Sequence, residues 1–218
     1  MDRSIARMLL EIGAVSLRIT PPFQWASGRL SPIYCDNRLI MSYPAYRRQV
    51  AEGFEALMKA QGLEPDVIAG TATAGIPHAA WLAERLDLPM VYVRGAAKGH
   101  GKENRIEGKL EAGQTAVLIE DLISTGGSSV SAAEGLVDAG AELLGVLAIF
   151  TYGLEVAEAA FQEAGMRFAT LTRFEVLWRE ALEMGILTKE ETAILAEWQT
   201  DPARWSEARK PAEAGSDR

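Results

Sequence analysis

Apolar residues recur at helical spacing over residues 2–14, where Ile5, Met8, Leu9 and Ile12 share one face and Gly13 closes the run. Residues 19–40 break that period. Pro21, Pro22, Ser27, Gly28 and Pro32 punctuate short extended pieces around Phe23, Trp25 and Tyr34. Helical spacing returns over 46–58 through Val50, Phe54 and Leu57. Short apolar runs then alternate with amphipathic ones. Strands are predicted at 67–69, 90–93, 115–119, 143–150 and 167–171, and helices at 76–86, 128–139, 154–164, 173–184 and 188–199. Strands that are apolar without alternation are covered on both faces, so the pattern predicts an α/β fold with a parallel sheet between helices. Such sheets bind ligands at the carboxyl edge of their strands. The loops 70–75, 94–109 and 120–128 converge there. A polar tail from about residue 206 is expected to fray.

The richest stretch is 117–129, VLIEDLISTGGSS. An apolar run ends in two adjacent carboxylates, Glu120 and Asp121, and a turn of small residues then opens an Ala-rich helix. Loop amides and a helix N-terminus hold a phosphate dianion, and carboxylates accept hydrogen bonds from sugar hydroxyls. The pattern therefore fits a phosphorylated sugar. Read without a ligand, the acids cap a strand and Thr125-Gly126-Gly127 is an ordinary turn.

Composition changes the picture in three places. The 218 residues, 48% hydrophobic and 24% charged, suffice for one α/β domain with a full core. A net charge of −8 argues against nucleic acid as the main ligand. Within this acidic chain the segment 94–109 gathers Arg94, Lys98, His100, Lys102 and Arg105, which suits a leaving group that accumulates negative charge. A solvated charged loop is the alternative. The single cysteine, Cys35, has no internal partner and reads as buried filler. With no leader-like segment and no long apolar run, the expected setting is cytoplasmic, with no membrane partner. In 70–77, Gly70 and Gly75 bracket small residues that let backbone amides approach an anion, although no Gly-Lys-Ser/Thr follows as in a P-loop. His78, Trp81, Trp198 and Trp205 read as packing residues.

Residues 120–128 resemble the signature with which type I phosphoribosyltransferases bind 5-phosphoribosyl 1-diphosphate (PRPP). SGRLSPIYCDNR at 27–38, GTATAGIP at 70–77 and RGAAKGHG at 94–101 narrow the resemblance to the orotate phosphoribosyltransferase family, over nearly the whole chain. The resemblance implies a type I phosphoribosyltransferase fold with a small N-terminal hood over 1–45, a core with C-terminal helices over 46–205 and a polar tail over 206–218. It implies Mg²⁺-dependent transfer of ribose 5-phosphate from PRPP to orotate, giving orotidine 5′-monophosphate and pyrophosphate in UMP biosynthesis. Its PRPP-binding positions fall on Arg94, Lys98, His100, Glu120, Asp121, Leu122, Ile123, Ser124, Thr125, Gly126, Gly127 and Ser128. The catalytic ones among these are Glu120, Asp121, Lys98 and His100, and Ser124 is the orotate contact. Mg²⁺ would bridge substrate oxygens, with no protein metal ligand assigned. The resemblance further implies a homodimer in which the 94–101 loop reaches the neighbouring subunit's site.

Departures from the family pattern are Ala26, Ala74 and Gly95 where other members carry lysines, and Tyr152 where an orotate-binding arginine falls. A Gram-positive-like branch shares TATAGIP and IFTYG. The group that meets the orotate carboxylate stays open, with Arg29 and Arg38 as candidates. A phosphoribosyltransferase for another base and a PRPP-sensing regulator are the competing functions.

Overall fold

The computed structural model describes residues 2–25, 27–95 and 105–210. A six-stranded sheet forms its centre. In chain order the sheet strands are β5 (Val67–Thr71), β6 (Met90–Val93), β7 (Ile106–Glu107), β8 (Thr115–Ile123), β9 (Glu142–Thr151) and β10 (Phe168–Arg173). Their spatial order is β10-β9-β8-β5-β6-β7, parallel throughout except for β7, which runs antiparallel to β6. Four shorter strands precede them: β1 (Val15–Leu17) pairs with β4 (Ile33–Cys35), and β2 (Phe23–Gln24) with β3 (Leu30–Ser31), both antiparallel.

Helices cover both faces of the sheet, as the apolar pattern predicts. They are α1 (Asp2–Glu11), α2 (Pro44–Gln61), α3 (Gly75–Leu86), α4 (Gly127–Asp138), α5 (Glu155–Glu163), α6 (Phe174–Glu183), α7 (Lys189–Thr200) and α8 (Pro202–Glu207). Successive strand residues serve opposite cores. Ile68, Val117, Ile119, Leu147 and Ile149 join Phe54, Leu82 and Trp198 on one face. Val67, Leu118, Val146 and Ala148 join Ala132, Leu136 and Phe161 on the other. Local chemistry fixes the helix ends. Pro44 occupies the first turn of α2, Gly62 closes it in the left-handed region at φ 64°, and Thr188 with Glu191 forms a capping box on α7.

The structure departs from the sequence expectation at five elements. The strand expected over 115–119 continues to Ile123, so Glu120, Asp121, Leu122 and Ile123 are strand residues rather than the start of a loop. The cause is β9, whose ladder with β8 runs on through Leu122↔Phe150 and Ile123↔Thr151 and holds polar residues extended. The long 94–109 connection contains β7, which closes on the free edge of β6. The 19–40 region is preceded by β1, and a 3₁₀ helix, Asn37–Ser42, extends beyond it. The strand expected over 167–171 runs from Phe168 to Arg173. Finally, α8 follows α7, and Ser206, expected at the start of a fraying tail, is fully buried and accepts a hydrogen bond of 2.9 Å from the Leu30 amide.

The strand order places the switch point between β5 and β8. From β5 the chain crosses through α3 to β6 on one side, and from β8 through α4 to β9 on the other. Gly75 sits where α3 begins, against β8: a Cβ there would lie 2.4 Å from the Ile119 carbonyl oxygen. Gly75→Ala is therefore expected to lower unfolding free energy by about 1–3 kcal/mol, as overpacking does. Urea denaturation measures this, and an unchanged midpoint would mean that α3 can retreat from β8 freely.

Candidate active site

Two helix N-termini open side by side at the switch point. Neither α3, preceded by Ala74, nor α4, preceded by Gly126, has a side chain capping its first amides. The open first-turn amides of α4 and its dipole favour an anion. At α3 the Ile76 amide already donates to the Thr73 carbonyl at 3.4 Å and Pro77 has no N–H, so its start offers the dipole and the Gly75 amide. Gly126 adopts φ 84°, which turns the chain from β8 into α4, and a Cβ there would press on Ala157 and Phe161 at 3.4 Å. Ser124, Thr125, Gly127 and Ser128 form the surrounding rim: Thr125, Gly127 and Ser128 are exposed and Ser124 is half-buried. The side chain of Ile123 is fully buried in the core beneath α4, and its carbonyl accepts from the Thr151 hydroxyl at 2.9 Å. The Tyr152 amide donates to the same carbonyl at 3.3 Å, so Ile123 serves the sheet.

The acidic pair lies between the two helix ends. Glu120 is 5% exposed, accepting from the Ser129 hydroxyl at 3.1 Å and from the Asp121 amide at 3.0 Å. Each of its oxygens thus keeps a lone pair for another donor. Asp121 is half-buried, and its backbone carbonyl accepts a 2.7 Å hydrogen bond from Asn37 Nδ2. Burial, then the neighbouring Asp121 charge, pushes the Glu120 carboxyl well above the usual carboxylate range. Burial likewise raises Asp121, opposed by hydrogen bonds, including one with Glu120, and by the Arg38 charge. The protein compensates these two anions poorly, which leaves the pair suited to hydroxyl donors or to a cationic centre.

Sequence reasoning missed two members of this constellation. Asn37, buried and 84 positions from Asp121, ties the N-terminal region to the end of β8. Ser129, fully buried one helical step inside α4, holds Glu120. A polar residue directly after the small-residue turn was the available signal for Ser129; nothing in the chain announced Asn37.

The other expected residues are dispersed. Arg94 stands at the end of β6, with its amide on the Arg105 carbonyl at 2.8 Å and its guanidinium 3.3 Å from Glu107. Arg94 and Arg105 thereby pinch the two ends of the cationic segment, while Lys98 and His100 lie outside the described residues, as does Ala26. Cys35 is half-buried with its thiol pushed up by burial, in keeping with an inert role. His78 is buried edge-on against Trp81 at 5.4 Å, and desolvation lowers its pKa to about 4, so it is a neutral packing residue. Tyr152 is 3% exposed within a cluster of Trp25, Phe150, Phe174 and Trp198, where its ring packs against all four. Among the described residues no cluster of three or more His, Cys, Asp or Glu forms a metal site, and no helix is long and apolar enough to cross a membrane.

An acid pair between two helix ends, at the switch point of a parallel sheet, is an arrangement suited to a phosphorylated sugar. The family model described as "Phosphoribosyl transferase domain" matches residues 42–161. The chain is 52% identical over 206 residues to an orotate phosphoribosyltransferase of Halalkalibacterium halodurans, covering 94% of this chain and 98% of that one. It is 53% identical over 203 residues to one from Bacillus cereus, covering 93% and 97%. The crystal structure of orotate phosphoribosyltransferase from Aeropyrum pernix superposes with a TM-score of 0.72 at 28% identity, over 84% of this chain and 99% of that one. The chain belongs to the orotate phosphoribosyltransferase family, and its fold is the α/β type I phosphoribosyltransferase fold.

The raised carboxyl of Glu120 has a signed consequence for stability. Its folded pKa exceeds the unfolded value near 4.5, so the stability it contributes is complete below that pH and is lost as pH rises towards the folded value. Glu120→Gln removes that loss. The ligand-free variant is expected to melt about 2–4 °C higher at pH 7–8, with the gain vanishing near pH 4–5. Thermal melts across pH measure it, and a variant less stable at pH 8 would contradict the assignment.

Proposed function

We propose that this protein transfers the 5-phosphoribosyl group of PRPP to N1 of orotate, releasing pyrophosphate and orotidine 5′-monophosphate. The observation that carries this reading is the Glu120–Asp121 pair beside the uncapped start of α4 and facing the start of α3. It is joined by about 52% identity over most of the chain to proteins named for this activity. In the reaction the bond from C1′ to the pyrophosphate oxygen breaks, the bond from C1′ to N1 forms, and the N1 proton leaves to solvent. Charge becomes positive on the ribose ring and negative on the departing pyrophosphate.

Each group then has a role that follows from its position. Thr125, Gly126, Gly127 and Ser128 hold the 5′-phosphate with the first amides of α4, as an anchor remote from the reacting carbon. Leu122 and Ile123 carry that loop on the end of β8. Glu120 and Asp121 accept the ribose hydroxyls and stabilise the positive ring. The turn 72–75 ahead of α3 receives pyrophosphate through backbone amides. Lys98 and His100 would close over that group from the neighbouring subunit of a homodimer, with Arg94 at the loop base. Ser124 contacts the base beneath a hood formed by residues 1–45.

The undercompensated acid pair fits Mg²⁺ carried in with the substrate, which would supply neutralisation of pyrophosphate charge when bound. A single cysteine and a biosynthetic role agree with a cytoplasmic setting.

The direct test is loss of orotate ultraviolet absorbance on adding PRPP and Mg²⁺, alongside a panel of purine and pyrimidine bases. Consumption of another base in place of orotate would overturn the assignment. Asp121→Asn is expected to lower turnover about 10²-fold, the scale of one preorganised electrostatic group; near-normal turnover would remove it from the mechanism. Lys98→Ala subunits mixed with Asp121→Asn subunits are expected to regain part of the activity through hybrid dimers. No recovery despite verified subunit exchange would argue against loop donation.

A further inference from the structure

The family pattern leaves the partner of the base's carboxylate unassigned in this chain, because Tyr152 replaces an arginine and is buried among aromatic rings. A cavity of about 300 Å³ opens beside that cluster, lined by Trp25, Arg29, Ser124, Thr125, Leu154 and Gln199 among others. It joins the expected base contact, Ser124, to one of the two arginines that the sequence left undecided.

The two arginines differ in what already holds them. Arg38 Nε donates to Asp36 at 2.6 Å, so its charge is largely answered within the 3₁₀ turn. The guanidinium of Arg29 has no hydrogen-bond or ion-pair partner among the described residues. Its backbone, by contrast, is fixed: the Trp25 amide donates to the Arg29 carbonyl at 2.8 Å, and the Leu30 amide donates to Ser206 at 2.9 Å. Arg29 is exposed, and its unpaired fork on an anchored backbone is available for bidentate pairing with a carboxylate.

The rest of the lining sets the orientation. Trp25 forms an aromatic wall, stacked near Tyr152 at 6.3 Å and edge-on to Trp198 at 6.5 Å. Glu155 and Asp201 also line the cavity, and Asp201 accepts from the Arg204 amide at 2.9 Å. Arg29 is the one cation among the described residues lining this cavity, so it is the group there that can pair with a carboxylate.

We propose that Arg29 binds the carboxylate of the base and makes this cavity selective for a carboxylated pyrimidine over its uncharged counterpart. The inference rests on the phosphoribosyl-transfer reading of the site. It is tested by steady-state kinetics of the full-length protein and its Arg29→Gln and Arg29→Lys variants, with orotate and with uracil, the same ring without the carboxylate. Arg29→Gln is expected to raise KM for orotate about 10- to 100-fold, as loss of a charge-assisted pair does. KM for PRPP and the melting temperature should stay near wild type. The orotate-over-uracil preference should fall by a similar factor, and Arg29→Lys should recover part of it.

An unchanged orotate KM in Arg29→Gln, with wild-type protein still preferring orotate, overturns the inference and leaves the reaction assignment standing. So does a larger orotate effect from Arg38→Gln, or an equal rise in KM for both substrates. Wild-type protein that ignores orotate but turns over another base brings down the reaction assignment itself.

Discussion

Parallel pairing of β5 with β8 is the constraint on which the site depends. The two strands lie adjacent while their crossovers leave in opposite directions, so α3 and α4 begin next to each other above the sheet's carboxyl edge. Each helix start offers the positive end of a dipole, and α4 adds a row of uncapped amides. In the proposed reading, a substrate with phosphate groups at both ends of a ribose would meet these two positive ends. Gly75 permits the closeness, because the Ile119 carbonyl occupies the space a side chain would need.

Between those poles the chain carries a destabilising arrangement. Two adjacent carboxyls are largely buried, and burial raises the proton affinity of both. Ser129 and the Asp121 amide satisfy Glu120 in part, but no cation of the protein pairs directly with either acid among the described residues. In the proposed reaction a ribose diol and a positive transition state would meet that demand, so ligand-free stability would be set against transition-state stabilisation at the same two residues.

The N-terminal strands and the C-terminal helices, far apart in the chain, depend on each other. Ser206 of α8 holds the β2–β3 hairpin through the Leu30 amide, and Asn37 ties the 3₁₀ turn to the Asp121 carbonyl. Trp198 and Trp205 are fully buried, with Arg209 over the Trp205 ring at 4.1 Å. The C-terminal tryptophans are structural anchors, and Trp198 packs edge-on to Trp25 in the wall of the cavity that also holds Arg29.

Much of this was legible in the sequence for a local reason. Helical and strand periods, the small-residue turn after β8 and the adjacent acids are each encoded within a dozen residues, and they are enough to predict a parallel α/β sheet and its phosphate-binding edge. Strand β8 nevertheless outran its expected end, because its partner β9, not its own polarity, decides where the ladder stops. The same holds for Asn37 on Asp121, Ser206 on Leu30 and the raised carboxyl of Glu120. Composition and spacing by themselves determined the order of elements and the chemistry available at their ends. Tertiary structure alone decided which side chains meet, which arginine is already paired and which acids lose water, because burial and pairing are set by neighbours 84 and 176 positions away.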